Sequence, residues 1–293
     1  SPPLFLGISA LNLARKLKAK IIFNVSDLWP ESAEELDIVS NKLFLGLAYK
    51  LEAYLYKKSF LVTGQTQGIV ADINKRFPEV PTMWLPNGID KDVYSFKDIE
   101  TDWLEDYGIQ GKHLYMYAGI IGHAQGLDVI IKAKQWLMNN EPEIASRLEF
   151  VIIGDGPEKD RLLALDKELE TKIVFIPNTP KQKVMRMIKN AKGYIVPLKK
   201  LKLFLGAIPS KIFDPLALGI PVLLGVDGEA RNIFIQQGKG GIFYEPENDE
   251  ALAKSIIQLE NDKDLAVKLG QQGKKYVEQN FDRKNIAMSF KDR

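Results

Sequence analysis

Cysteine is absent from this 293-residue chain, and histidine occurs only at His113 and His123. The first absence excludes a disulfide framework and a thiolate metal site. The second leaves no cluster with zinc-ligand spacing and few candidates for Ser-His-Asp catalysis. An excess of one charge is missing too: 40 Lys and Arg stand against 38 Asp and Glu, a net of +2. A dedicated nucleic-acid binder concentrates basic charge on one face, so no nucleic-acid partner is expected. No apolar run reaches the ~18–20 residues that span a bilayer. Internal repeats and low-complexity tracts are lacking as well. The chain opens on serine instead of methionine, and the apolar stretch Leu4 to Leu17 turns basic at Arg15, Lys16, Lys18 and Lys20. A secretory signal has the reverse order, basic before apolar, with a small-residue cleavage site after it. The expectation is a chain that starts inside a fold, with Ser1-Pro2-Pro3 as a loop entering the first helix.

The composition that remains is globular, 45% hydrophobic and 27% charged. At ~100–200 residues per domain, two domains are expected. Short apolar, β-branched runs alternate with amphipathic helical stretches, the pattern of βαβ units on a parallel sheet. Buried parallel strands read as continuous apolar runs. In the first part these are Ile21–Val25, Phe60–Thr63 and Met83–Leu85, with helices at Asn41–Lys58 and Gln67–Arg76. A fuller series follows Asn87: strands at Leu114–Ala118, Leu148–Ile153, Ile173–Ile176, Tyr194–Val196, Pro221–Leu224 and Gly241–Tyr244. Helices fit between them at Leu127–Met138, Pro157–Glu170, Lys181–Asn190, Ser210–Leu218 and Glu229–Gln237, and three more follow, at Asp249–Glu260, Asp264–Asn280 and Arg283–Phe290. The second series is a complete doubly wound set; the first has about half of one. The turn Pro86-Asn87-Gly88-Ile89-Asp90 is the natural boundary, since Asn-Gly tolerates positive φ.

Open parallel sheets bind ligands at the carboxyl ends of their strands. Three loops there carry candidate chemistry. Tyr117 to Leu127 runs from strand through glycines into a helix, reading either as a phosphate cradle at a helix N-terminus or as a tight turn that binds nothing. Its spacing is not G-x-G-x-x-G, so a dinucleotide fingerprint is not indicated. Gly154-Asp155-Gly156-Pro157-Glu158 is a second strand-to-helix turn, with Pro157 suited to the first helical position. In Pro209-Ser210-Lys211-Ile212-Phe213-Asp214, Ser210 can cap a helix, and Lys211 and Asp214 share one face. They read either as a surface ion pair or as a cation for a diphosphate beside a carboxylate for sugar hydroxyls.

Taken in order, these motifs resemble the retaining GT-B glycosyltransferases of family 4, in particular the bacterial surface-polysaccharide branch with its L-fucosaminyltransferase-like members. The residues that carry the resemblance are Ser26-Asp27-Leu28-Trp29-Pro30-Glu31-Ser32, Leu85 to Asp90, Tyr117 to Leu127, Gly154 to Pro157, Pro209 to Asp214, and Asp227-Gly228-Glu229-Ala230. The resemblance implies an α/β GT-B fold with two Rossmann-like doubly wound parallel-sheet domains. Residues 1–86 would form an incomplete acceptor-side domain, residues 87–278 the nucleotide-sugar-binding domain, and residues 279–293 a helix crossing back. It further implies a UDP-sugar donor, an N-acetyl sugar, and a polyprenyl-linked glycan acceptor at the inner face of the cell membrane. Transfer would retain anomeric configuration, with donor phosphate oxygens helping to deprotonate the acceptor, and no metal or other cofactor is implied.

Carried onto this chain, the implied donor site comprises Gly119, Ile121, Gly122, His123, Gly154, Lys211, Asp214, Gly228 and Glu229. Asp214 stands for a ribose-binding glutamate, one methylene shorter. Gly206 stands where many relatives have a second glutamate, and Ile120 and Gln125 stand where an arginine and a lysine hold the diphosphate. Asp27 is the candidate catalytic or sugar-bordering residue, or else a structural strand end. His123 reads as a donor contact or as a solvated side chain, and Glu229 as a donor contact or as a carboxylate suited to a helix N-terminus. The stripe Phe44, Tyr49, Tyr54 and Tyr56 with Lys57 and Lys58 reads as core plus a wet face or as a membrane-surface contact. Two other functions stay open: a non-catalytic nucleotide-sugar-binding subunit and a sugar-nucleotide 2-epimerase. The chain as given is expected to bind donor and to turn over poorly.

Overall fold

The computed structural model describes residues 4–94, 96 and 99–291; the expected loop Ser1-Pro2-Pro3 lies outside them. The chain runs through α1 (Leu6–Leu17), β1 (Ile22–Val25), α2 (Glu31–Glu35), α3 (Lys42–Lys58), β2 (Leu61–Gly64), α4 (Gln67–Arg76) and β3 (Thr82–Trp84). A 3-10 turn at Lys91–Tyr94 leads to α5 (Asp102–Asp106), β4 (His113–Ala118), α6 (Asp128–Asn140), α7 (Pro142–Ala145), β5 (Leu148–Ile153), α8 (Lys159–Glu168), β6 (Val174–Ile176), α9 (Lys181–Ile188) and β7 (Ala191–Pro197). Then come α10 (Phe213–Ala217), β8 (Val222–Gly225), β9 (Gly241–Phe243), α11 (Asp249–Asn261), α12 (Leu265–Asn280) and α13 (Arg283–Lys291).

Two parallel sheets result. The first has three strands in the order β1-β2-β3, and the second has six in the order β6-β5-β4-β7-β8-β9. Helical crossovers cover both faces of the larger sheet, so successive residues of a strand enter different cores. On β4, Leu114 and Met116 pack into one cluster with Val151, Val196 and Phe234. Tyr115 and Tyr117 pack into the other with Phe150, Ile195 and Leu252. Every residue of β8 is buried, which is why it reads as an unbroken apolar run.

Several local features depart from expectation for identifiable reasons. Ser210 makes no capping bond; Pro209 leads into a 3-10 turn at Ser210–Ile212, and the α-helix starts at Phe213. Pro215 explains the late start, because its missing N–H is tolerated only in a first turn. Pro157 lies in a turn, and α8 begins at Lys159. The stretch Arg231–Gln237 is a π-helix, and the amide of Gly238 reaches back to Ile233. The wider turn accompanies burial of the consecutive Ile233 and Phe234.

The aromatic stripe of α3 divides. Tyr56 is buried and packs on Phe23 and Phe77, whereas Phe44 packs on Phe5 and Trp29. Tyr49 donates to Glu34, and Tyr54 accepts from Arg15. Among the described residues no helix is long and apolar enough to cross a membrane.

The connector between the sheets is stitched at both ends. The Leu85 amide donates to Gly64, while the Ile89 amide donates to Phe281 and the Ile89 carbonyl accepts from Arg283. Phe281, buried at the end of α12, packs against Phe213, Phe234, Tyr276 and, on β3, Trp84.

Candidate functional site

In the larger sheet the chain winds outward in one direction from β4 to β6 and in the other from β7 to β9. The topological switch point therefore lies between β4 and β7, and the crevice beyond their carboxyl ends is the expected ligand position. Their pairing stops at Met116↔Tyr194. Beyond it the Tyr194 hydroxyl fills the parting, accepting from the Ala118 amide and donating to the Ala118 carbonyl, both at 2.9 Å. A cleft of about 1050 Å³ opens there. Asp27, Gln65 and Thr66 line its first-sheet side, and Gly119, Lys211 and Asp214 its second-sheet side. The carboxyl ends of both sheets thus face one space.

Lys211 is the central cation. Its Nζ donates to the Tyr117 hydroxyl at 2.5 Å and lies 4.2 Å from that ring's centroid. The Tyr117 hydroxyl in turn donates to the Ile120 carbonyl at 2.6 Å. One chain of bonds thereby fixes both the ammonium and the tip of the glycine loop. Gly119 backs onto the ammonium: a Cβ there would come 3.0 Å from Nζ, on a backbone with φ of +147° that favours glycine. Desolvation by burial pushes Lys211 down to about 7, because the ammonium has lost water without gaining a carboxylate among the described residues.

Asp214, one helical turn on, is engaged elsewhere. The Tyr94 hydroxyl donates to its Oδ1 at 2.5 Å, and Lys181 Nζ lies 3.1 Å from the same oxygen. Neither contact uses Oδ2. Tyr94 comes from the turn after the connector, and Lys181 opens α9. Across the cleft Glu31 is raised above the usual carboxylate range by burial and by the nearby Asp72. Among the described residues no group of three His, Cys, Asp or Glu side chains could hold a metal ion.

The family model described as glycosyl transferases group 1 matches residues 100–276, which span β4 to β9 and include Tyr117, Tyr194, Lys211 and Asp214 but not Tyr94. The chain belongs to this family of glycosyl transferases. It is 28% identical over 183 residues to a protein of Escherichia coli (strain K12) named as a colanic acid biosynthesis glycosyl transferase, WcaI, a match covering 61% of this chain and 42% of that one. It is 24% identical over 217 residues to the lipopolysaccharide core biosynthesis mannosyltransferase LpcC of Rhizobium leguminosarum bv. viciae, covering 72% of this chain and 58% of that one. The chain therefore spans about half the length of these relatives. Among solved structures it is similar to Anabaena HepE in complex with UDP-glucose, with a TM-score of 0.78 at 15% identity, over 99% of this chain and 77% of that one. The fold is the GT-B arrangement of α/β units with parallel sheets.

In this glycosyl transferase the expected site residues fall into groups. Gly119, Lys211, Asp214 and Asp27 line the cleft. Ile121 is fully buried in the core, and its amide donates to the Asp155 carbonyl, as the Gly119 amide does to Ile153. The Gln125 amide likewise donates to the Gly122 carbonyl, so three amides of the loop are already used inside the protein. Ile120 lines the cleft and its amide is a candidate anion donor, whereas Gly122 lies outside the cleft lining. Gly154 buttresses this loop from behind: a Cβ on it would strike the Gly119 carbonyl. His123 is exposed and pairs with Glu158 at 2.6 Å, away from the cleft lining. Gly228 sits against the Leu205 carbonyl, and the Glu229 carboxylate turns to the first sheet's α4. Sequence reasoning missed Tyr117, Tyr94 and Lys181 as partners of the site. The only prior signal for Tyr117 was its hydroxyl near the carboxyl end of β4, a strand that also carries His113 and Tyr115.

Proposed function

We propose that this chain binds a UDP-sugar in the cleft and transfers the sugar, with retention, to a lipid-linked glycan during surface polysaccharide synthesis. The observation that carries the reading is the ammonium of Lys211, which has no carboxylate partner among the described residues, at the switch point between β4 and β7. It supports a diphosphate there, held by Lys211 and the amide of Ile120, with no metal required. Asp214 Oδ2 suits the vicinal hydroxyls of a ribose, since a carboxylate accepts from both. In this reading the sugar projects toward the first sheet, where Asp27 and Glu31 border the acceptor. Their carboxylates bind hydroxyls, and a donor phosphate oxygen takes the acceptor proton. The acceptor half is the β1-β2-β3 unit, residues 1–86, and residues 87–278 form the donor half. The names of the relatives WcaI and LpcC, which concern colanic acid and lipopolysaccharide core, support a surface glycan as product. The HepE complex with UDP-glucose supports UDP as the nucleotide.

Calorimetric titration with UDP is the first test. Absence of binding by the wild-type chain sinks the donor-site reading. Incubation with a UDP-sugar and a polyprenyl-linked glycan, with NMR of the product anomer, then tests transfer and retention. A second reading, a nucleotide-sugar-binding subunit without turnover, is favoured by Ile120, which stands exposed at the loop tip where the resemblance calls for a cation. UDP binding without transfer to any acceptor would select it. Conversion of the UDP-sugar without acceptor into its 2-epimer would select the epimerase.

A further inference from the structure

Glu229 stands just beyond β8, yet its carboxylate is used by the other unit. Oε1 accepts from the Gln67 amide at 2.8 Å and Oε2 from the Gly68 amide at 2.7 Å, across 162 and 161 positions of sequence. These are the first two amides of α4. The third, Ile69, donates to Thr66 Oγ1 at 3.0 Å. A carboxylate on the leading amides of a helix is charge-assisted and opposes the positive end of the dipole. At the same place two glycines meet. A Cβ on Gly68 would lie 2.7 Å from Gly206 Cα, and one on Gly206 would lie 3.3 Å from Gly68 Cα. Both glycines line the cleft, so this contact is a point where its two walls touch.

We propose that Glu229 is a positioning residue that holds the two units of this enzyme closed over the cleft, with Gly68 and Gly206 as the surfaces that meet. The carboxylate is matched to two amides on the opposite wall, and the glycine pair lets that wall come near enough for both bonds to form. Glu229 therefore sets how wide the cleft stands and acts on the reaction through that width. The catalytic consequence rests on the donor-cleft reading above; the closure itself does not.

Three substitutions test this: Glu229→Ala, Glu229→Gln and Gly68→Ala. Gly68 has ordinary helical φ, so alanine there favours α4 itself while its methyl wedges against Gly206. Small-angle X-ray scattering reads the separation of the units, UDP titration reads the donor wall, and turnover of a UDP-sugar reads the assembled cleft. Glu229→Ala and Gly68→Ala are expected to unfold cooperatively and to have a larger radius of gyration. Their UDP affinity should stay within ~2-fold, while kcat falls ~10-fold, the equivalent of ~1.4 kcal/mol of lost closure. Glu229→Gln, whose amide oxygen can accept from one amide without the charge, should fall between. Scattering from Glu229→Ala and Gly68→Ala that superimposes on the parent would overturn the proposal. So would a loss of UDP affinity matching the loss of turnover, since Glu229 would then be a donor contact. If the parent chain binds no UDP, the donor-site reading fails while the scattering comparison still decides the latch.

Discussion

Burial of the Lys211 ammonium costs stability that a bound diphosphate would offset. Its pKa is lowered to about 7 by burial, whereas the unfolded chain carries an ordinary lysine. Between those two values the unfolded state binds more protons, so this group's contribution to stability rises with pH through that window. Lys211→Met removes the penalty and is expected to raise Tm near pH 7 while abolishing UDP binding, both readable in one thermal-shift series with and without UDP. The binding sign is the opposite. An anion needs the protonated form, so affinity for a UDP-sugar is full below pH 7 and weakens up to ~10-fold per unit above it. A titration series from pH 6 to 9 that stays flat would contradict Lys211 as the diphosphate cation. Tyr117→Phe deletes the hydroxyl that joins Lys211 to the Ile120 carbonyl; UDP affinity should drop ~5–10-fold with the fold intact, as expected for one lost hydrogen bond to a charged group. Lys211 and Asp214 were legible in sequence because they share one short motif. Tyr117 and Tyr94 were not, because they reach that motif across 94 and 120 positions, and only tertiary structure brings such pairs together.

At the scale of elements, apolar runs were informative because both faces of the larger sheet are covered. β8, buried throughout, declared itself; β7 proved longer than its apolar centre, starting at Ala191. Helix starts were less legible, since Pro215 and the turn at Pro157 displaced two of them. The short α2 and the 3-10 turns have too few residues to show a period. The glycine loops after β4 and β5 belong together, as Gly154 shows by lying against the Gly119 carbonyl at a φ of +144°. Gly154→Ala is expected to lose about 1–3 kcal/mol in denaturant unfolding and to weaken UDP binding by displacing the loop in front. Unchanged unfolding and binding would remove the buttress from the account.

Across the whole molecule, the aromatic cluster at Phe281 is where the two sheets share a core. Phe281→Ala should cost about 3–5 kcal/mol and split unfolding into two transitions by calorimetry, because Trp84 on the first sheet loses its ring partner in the second. The arrangement of the sheets was legible only as a count of strands and a turn; the facing of their carboxyl ends was not, since no local pattern encodes it. The connector has a consequence for how that facing is kept. With Leu85 tied to Gly64 and Ile89 tied to Phe281, the covalent slack between the anchors is Pro86, Asn87 and Gly88. So short a tether gives each wall of the cleft a high effective concentration for the other, of millimolar order or above. A carboxylate on two amides, far too weak to join separate chains, is then strong enough to decide between an open and a shut cleft.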